Sequence, residues 1–251
     1  MREPWNIKRD DFRSADSLTT FIIFCEDEVS EPTYFKYFET SLIKVNTIEK
    51  QRSKTDNVLK AITFCCKENL MDTKNGELFL VQKDLQVWCV YDRDIDEAST
   101  SIDLHNTSFN EALSMAEARG IKVAWSNDAF ELWVLLHFED VDIENSENKN
   151  RKKYYDRLTE IFKKLENPNE HLSKALSHSS FNYKKDLKQK NNFRDIVRSE
   201  IIRRTFTAID RAEVLVKSHP NCSPHLKSPA TMVHHLVLEL LRLGKKEIPN
   251  S

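Results

Sequence analysis

Over the first 138 positions the apolar residues recur in two alternating rhythms, short continuous runs and longer stretches with helical spacing. Thr19-Thr20-Phe21-Ile22-Ile23-Phe24-Cys25 is unbroken and rich in β-formers, as expected for a strand covered on both faces. An acidic loop follows, Glu26-Asp27-Glu28-Val29-Ser30, and then a helix in which Ser30 is expected to cap, Pro32 suits the first turn, and Tyr34, Phe35, Phe38 and Leu42 form the apolar face. A weak strand is expected around Val45 to Ile48 and a second helix over Thr55 to Leu70. Leu85-Gln86-Val87-Trp88-Cys89-Val90-Tyr91 is the clearest later strand, and it also runs straight into acid, Asp92-Arg93-Asp94-Ile95-Asp96. A helix over about Ser108 to Arg119 stops at Gly120, Ile121 to Trp125 makes a third strand, and after Ser126-Asn127, a capping pair, Asp128 to Phe138 reads as helix.

Strands alternating with helices predict an α/β fold, a mostly parallel sheet flanked by helices. Beyond residue 138 the texture changes. Residues 139–150 are polar and rich in Asn and Glu, and helical spacing then covers roughly 151–166, 193–217 and 229–243. The expected organisation is an α/β domain over 1–138 and a partly basic, C-terminal helical extension over 139–251, either as an appendage or wrapped back on the sheet.

Composition narrows the classes. Hydrophobic residues are 39% and charged residues 31% of the 251, a globular balance. Only three Gly are present, and neither the Walker nor the dinucleotide-binding glycine pattern occurs. No apolar run approaches the roughly 18 residues of a membrane span, and the opening segment has no signal-peptide core, so the expected compartment is the cytoplasm. The five Cys have no paired metal-ligand spacing, and Cys25 and Cys89 fall inside strands as small buried groups. The net charge of -2 hides an asymmetry: residues 84–147 carry 15 acids and three bases, whereas 182–217 carry ten Lys or Arg and five acids. One half is suited to cations and the other to anions.

Candidate chemistry starts from that acidic half. Ligands in a parallel sheet gather beyond the carboxyl ends of the strands. Glu26 and Asp92 each follow a strand directly, and neighbouring strands lie about 4.8 Å apart, so the two side chains can share one cation. If the chain stays extended, Asp94 points to the same side as Asp92. A hard cation, Mg²⁺ or Mn²⁺, takes such oxygen ligands. Glu31 and Asp96 are candidate additional ligands, although an acid in a first helical turn also complements the helix dipole. Glu131, near the start of the helix after the third strand, faces the same end of the sheet. His137 is better read as a packed histidine. His219, Cys222 and His225 are residue types zinc accepts, but their spacing fits no common structural site.

The motifs are similar to those of a known family. The segment Glu26-Asp27-Glu28-Val29-Ser30-Glu31-Pro32-Thr33-Tyr34-Phe35, the Asp92-Arg93-Asp94 strand end and the block Ser126-Asn127-Asp128-Ala129-Phe130-Glu131-Leu132-Trp133 resemble the RloB-like proteins, a branch of the Toprim-fold superfamily associated with prokaryotic restriction and phage defence. Weaker similarity continues at Tyr183-Lys184-Lys185 and Pro229 to His234. The resemblance implies a Toprim-like fold and a Mg²⁺-dependent (or Mn²⁺-dependent) nuclease acting in anti-phage defence. In it Glu26, Asp92 and Asp94 hold metal and serve the reaction, with Glu131 and Lys184 as further catalytic candidates. Asp27 stands where most relatives carry Gly, and its β-carbon and carboxylate would crowd and repel a phosphate. Lys185, Lys188, Lys190, Arg194, Arg198, Arg203 and Arg204 are the other cations available to a nucleic-acid backbone; each has the ordinary alternative of a solvated helix face. RNA, including transfer RNA, and DNA are both compatible substrates. Two other readings stay open: a non-catalytic nucleic-acid or effector-binding module, and an effector subunit controlled by a separate ATPase. A homo-oligomer is compatible with all three.

Overall fold

The computed structural model describes residues 18–51, 54–81, 83–94, 102–145 and 150–249. Its centre is a five-stranded sheet in the order β2 (Ile43–Ile48), β1 (Thr19–Cys25), β5 (Leu85–Asp92), β6 (Lys122–Asn127) and β7 (Ala230–Thr231). The first four strands are parallel, and only β7 runs antiparallel, pairing Thr231 with Ser126 and Ala230 with Asn127. The expected α/β class and mostly parallel sheet are therefore present.

Both faces of the sheet are covered, which is why its strands read as continuous apolar runs rather than alternating ones. Ile22, Phe24, Val87, Cys89 and Tyr91 point to a core closed by α2 (Lys54–Lys67) and α3 (Ile102–Glu117). Phe21, Ile23, Cys25, Trp88 and Val90 point the other way, against α1 (Ser30–Phe35), α4 (Phe130–Leu136) and most of the later helices. Tyr34 is the hub of this second core, with ring centroids 5.4 Å from Phe38, 6.1 Å from Phe130 and 6.2 Å from Trp133.

The chain beyond residue 138 packs into that same core. α5 (Arg151–Lys163), α9 (Thr205–Lys217) and α10 (Val233–Gly244) contribute Tyr154, Leu158, Phe162, Ala208, Ala212, Leu236 and Leu240 to one cluster with Phe21 and Ile23. Helical order also differs from the expected 193–217 span. Two π-helical turns, Tyr183–Leu187 and Phe193–Arg198, flank α7 (Lys190–Asn192), and α8 (Ser199–Ile202) precedes α9. α6 (Glu170–Leu176) completes this half, and Asn150 and Asn169 cap α5 and α6 through their side chains.

A hairpin not anticipated from the pattern, β3 (Met71–Lys74) and β4 (Glu77–Leu80), forms a separate two-stranded sheet. Its turn is Asn75-Gly76 with φ of 54 and 82, the left-handed pair that a two-residue hairpin turn requires and Asn-Gly supplies. At the opposite edge Gly244 lets α10 approach β2 closely: a β-carbon there would lie 2.8 Å from Ile43 Cδ1.

His137, which follows α4, is packed as expected. Its Nδ1 lies 2.8 Å from the Trp133 carbonyl, its ring 4.9 Å from the Trp133 ring, and burial pushes its pKa down from 6.5 to about 3. The sign is that of a depressed cationic group. Its contribution is complete above pH 6.5 and is lost as pH falls, because the unfolded chain takes up the proton first. The expected loss is about 1.4 kcal/mol per pH unit in the acid range. Denaturant titrations of wild type and His137→Leu between neutral pH and pH 4 should show a shallower acid dependence in the variant; identical slopes would rule this contribution out.

Candidate metal centre

The parallel register delivers the carboxylates. Cys25 pairs with Val90, the Glu26 N–H donates to the Val90 carbonyl at 3.2 Å, and Asp92 ends β5 one pleat further on. The Asp92 N–H donates to Glu26 Oε2 at 2.9 Å, so the glutamate from β1 is anchored to the end of β5. Asp94 does not arrive by continuing the extended strand. Its φ is 51, and this left-handed residue turns the chain so that its carboxylate meets the same partner as Asp92.

That partner is the guanidinium of Arg151, the first residue of α5. Its Nη2 donates to Asp92 Oδ2 at 3.1 Å and to Asp94 Oδ1, and lies 3.9 Å from Asp128 Oδ1. Burial opposes the charged form of Arg151, but Asp92, then Asp94 and Asp128, outweigh it and hold the guanidinium firmly protonated. The carboxylates show the converse strain. Burial, followed by the Asp94 charge, pushes Glu26 up to about 8, and burial with the Glu26 charge raises Asp92 well above the usual range.

Glu31 is also inside this cluster. It is 1% exposed, its Oε2 accepts from the Asp27 N–H at 3.3 Å, and burial together with Asp27, Asp92 and Glu26 raises its pKa. Asp27 has a role that the sequence did not suggest. Its carboxylate folds back to accept from the N–H groups of Val29 at 2.8 Å, Ser30 at 3.2 Å and Glu31 at 3.3 Å. It, and not Ser30, caps α1; the Ser30 hydroxyl is buried without a partner. Similarly, Asn127 does not cap α4: its Nδ2 donates to the carbonyls of His225 and Lys227 at 3.2 and 2.7 Å, and its Oδ1 accepts from Arg93 at 3.2 Å.

Glu131 is 2% exposed and bonded to Lys188 Nζ at 2.6 Å, and the same ammonium lies 3.8 Å from Asp27 Oδ2. Lys188 therefore enters the acidic centre, whereas Lys184 is exposed, with its Nζ 5.3 Å from the centroid of the Tyr155 ring. On the opposite side Lys54 is buried beside His105 Nδ1 at 3.2 Å; burial lowers its pKa against the pull of Asp94 and Glu26. Seven carboxylates, those of residues 26, 27, 31, 92, 94, 128 and 131, thus crowd together, with Arg151, Lys188 and Lys54 as the cations beside them. The centre borders a cleft of about 580 Å³ walled by Glu26, Asp27, Lys50, Gln51 and Lys188.

Asp96 lies outside the described residues. Among those described, no three His, Cys, Asp or Glu side chains stand in metal-ligating positions; the acids close on a guanidinium instead. Among the described residues His219, Cys222 and His225 form no such group, and His225 Nδ1 is 2.8 Å from Asn110 Nδ2. Among the described residues no helix is long and apolar enough to cross a membrane.

Arg151 and Lys188 were not singled out for the acidic centre by the spacing of the acids. The only signal was the surplus of acid between residues 84 and 147, which requires cations from somewhere else in the chain. Comparisons with curated proteins and with solved structures give no match. A family model described as RloB-like protein matches residues 21–240, a span that holds Glu26, Asp92, Asp94, Glu131, Arg151 and Lys188. The chain belongs to the RloB-like protein family.

Proposed function

We propose that the chain is a divalent-metal-dependent nuclease of Toprim type, hydrolysing phosphodiester bonds in RNA or DNA as a cytoplasmic effector of anti-phage defence. One observation carries the reading. The Asp92 and Asp94 carboxylates at the end of β5 close on Arg151 while Glu26 from the adjacent parallel strand is held against the Asp92 N–H, with more acid present than the nearby side chains neutralise. The donor set is all hard oxygen, which suits Mg²⁺ or Mn²⁺, and the Arg151 guanidinium is a stand-in for the charge that such an ion brings. Glu26, Asp92 and Asp94 would hold the ion after Arg151 leaves, with Glu31 behind them. When bound, it supplies Lewis acidity toward the phosphodiester and an acidified water.

The chain's own residues do the rest. The Asp92 N–H keeps Glu26 Oε2 at the strand end, so the Glu26 carboxyl stays at the lip of the cleft. Lys188, held by Glu131 and within 3.8 Å of Asp27, offers positive charge at that lip, which a phosphate needs if it is to approach so many acids. A guanidinium released from Asp92 and Asp94 is a forked donor matched to phosphate oxygens, so Arg151 has a use on either side of the exchange. Asp27 is compatible with this role because its carboxylate is committed to the α1 backbone.

A second reading, a non-catalytic nucleic-acid-binding module, draws on the same ion pair: a centre held shut by Arg151 needs no metal. The two separate on metal titration. By calorimetry with Mn²⁺, Arg151→Ala should bind at least about tenfold more tightly than wild type, roughly 1.4 kcal/mol, and Glu26→Gln and Asp92→Asn should lose binding. Wild type with metal should cut a single-stranded RNA or DNA and Asp92→Asn should not. Wild type that binds no metal, or binds it without cleaving either substrate, would select the non-catalytic module, and unchanged affinity in all three variants would reject the centre.

Lys188 has a structural consequence as well. Lys188→Met strands Glu131 as a buried acid, which should cost about 3 kcal/mol in urea denaturation, and adding Glu131→Gln should restore much of it. An unaltered midpoint in the single variant would contradict the pairing.

A further inference from the structure

A second concentration of charge, opposite in sign, lies at the other end of α1. From Ser30 beside the acids the chain continues through α1 into a 3-10 turn, Lys36–Phe38, about 13 Å along the axis. Tyr37 on that turn borders a cavity of about 410 Å³ that is also lined by Arg194, Arg198, Ser199, Arg203 and Pro249. The π-helical turn Phe193–Arg198 runs directly into α8, and together they present the three arginines to one opening. Such wide turns in a helix are frequent at functional sites.

The arginines are not fully used by their neighbours. Arg194 commits Nε and Nη2 to Asp195, at 2.6 and 2.7 Å, and Arg203 commits Nη2 to Glu200, which Arg204 shares. Their side chains remain 48% and 42% exposed. Arg198 gives Nη1 to the Thr33 carbonyl at 3.1 Å and lies 5.7 Å from the centroid of the Tyr37 ring. Lys246 stands over the same ring at 4.0 Å and donates to the Tyr37 carbonyl. Among the described residues neither Arg198 nor Lys246 has a carboxylate within ion-pair distance, so the cleft keeps an excess of positive charge. Burial and then Arg194 press on the charge of Arg198, and burial and then Arg198 on that of Lys246, as expected for crowded cations.

The chemistry of the ligand follows from what is free. A planar guanidinium fork matches phosphate oxygens. The Tyr37 ring already carries two cations, so it is not a platform for a base, and recognition falls on the phosphate alone. A solvated helix face would account for Arg194 and Arg203 with their local acids. It does not account for Arg198 and Lys246, which are packed around an aromatic ring and have no ion-pair partner among the described residues.

We propose that this cleft binds a phosphate group, from a nucleic-acid backbone or a free nucleotide, through Arg194, Arg198 and Arg203. The proposal does not depend on the nuclease reading, because the site shares no residue with the acidic centre. It is tested without metal, in chelator, on the full chain. The probes are a fluorescein-labelled single-stranded RNA of about twelve nucleotides by anisotropy, and ATP and inorganic pyrophosphate by calorimetry. Arg194→Gln/Arg203→Gln, at two exposed positions, and separately Arg198→Gln, should each weaken the responding probe at least about tenfold, and the double variant should flatten the salt dependence of RNA binding by about two contacts. A response to RNA alone assigns the phosphate to a backbone, and a response to ATP and pyrophosphate as well assigns it to a free nucleotide. Wild type that binds no probe at about 1 mM, or variants that bind as wild type does, would overturn the proposal.

Discussion

Acid crowding at the carboxyl ends of β1 and β5 is the constraint around which the molecule is arranged. Parallel pairing leaves no choice about where Glu26 and Asp92 go: once Cys25 is opposite Val90, both emerge at the same edge. Carboxylates so placed repel one another and are partly removed from water, so a cation must be supplied or protons retained. The chain supplies cations from its second half. Arg151 at the start of α5 and Lys188 after the first π-helical turn reach back over the sheet edge, and their ion pairs tie the later helices to the segments that follow β1, β5 and β6. Lost pairing at a buried acid costs several kcal/mol, so electrostatics and packing fix the same arrangement of the two halves.

The hydrophobic arrangement makes that return possible. α5, α9 and α10 cannot bury their apolar faces on each other alone; they share a core with β1, β5, α1 and α4. β7 then adds an antiparallel edge to β6, with Ser126 Oγ 3.0 Å from Thr231 Oγ1. The first half builds a sheet and its acidic rim, and the second covers one face and brings basic residues to two places. At one of them, Lys188 and Arg151, the charge is spent on the acids. At the other, around Tyr37, it is not.

Much of the first half was legible in the sequence, because a strand covered on both faces is an uninterrupted apolar run and such runs are distinctive. The parallel sheet and the convergence of Glu26 and Asp92 followed from this. Local chemistry is less legible. The β3–β4 hairpin is missing from the expected elements because its strands are only four residues each, too short for a period to assert itself. Ser30 looked like the cap of α1, yet Asp27 takes the role, because a carboxylate three residues earlier reaches three N–H groups at once. Arg151 and Lys188 were beyond local reading altogether. Each belongs to a polar stretch that looks like a wet helix face, and only tertiary packing brings Arg151 to an acid 59 residues away and Lys188 to one 57 residues away.

Arg151 stands where the proposed divalent ion would bind, between the acids at the strand ends. Anomalous diffraction from crystals soaked in Mn²⁺ tests this most directly. A manganese peak bounded by Glu26, Asp92 and Asp94 is expected, with the Arg151 side chain displaced from Asp92 and Asp94. Crystals that show Arg151 still bridging the two aspartates and no anomalous peak between the strand ends would contradict it.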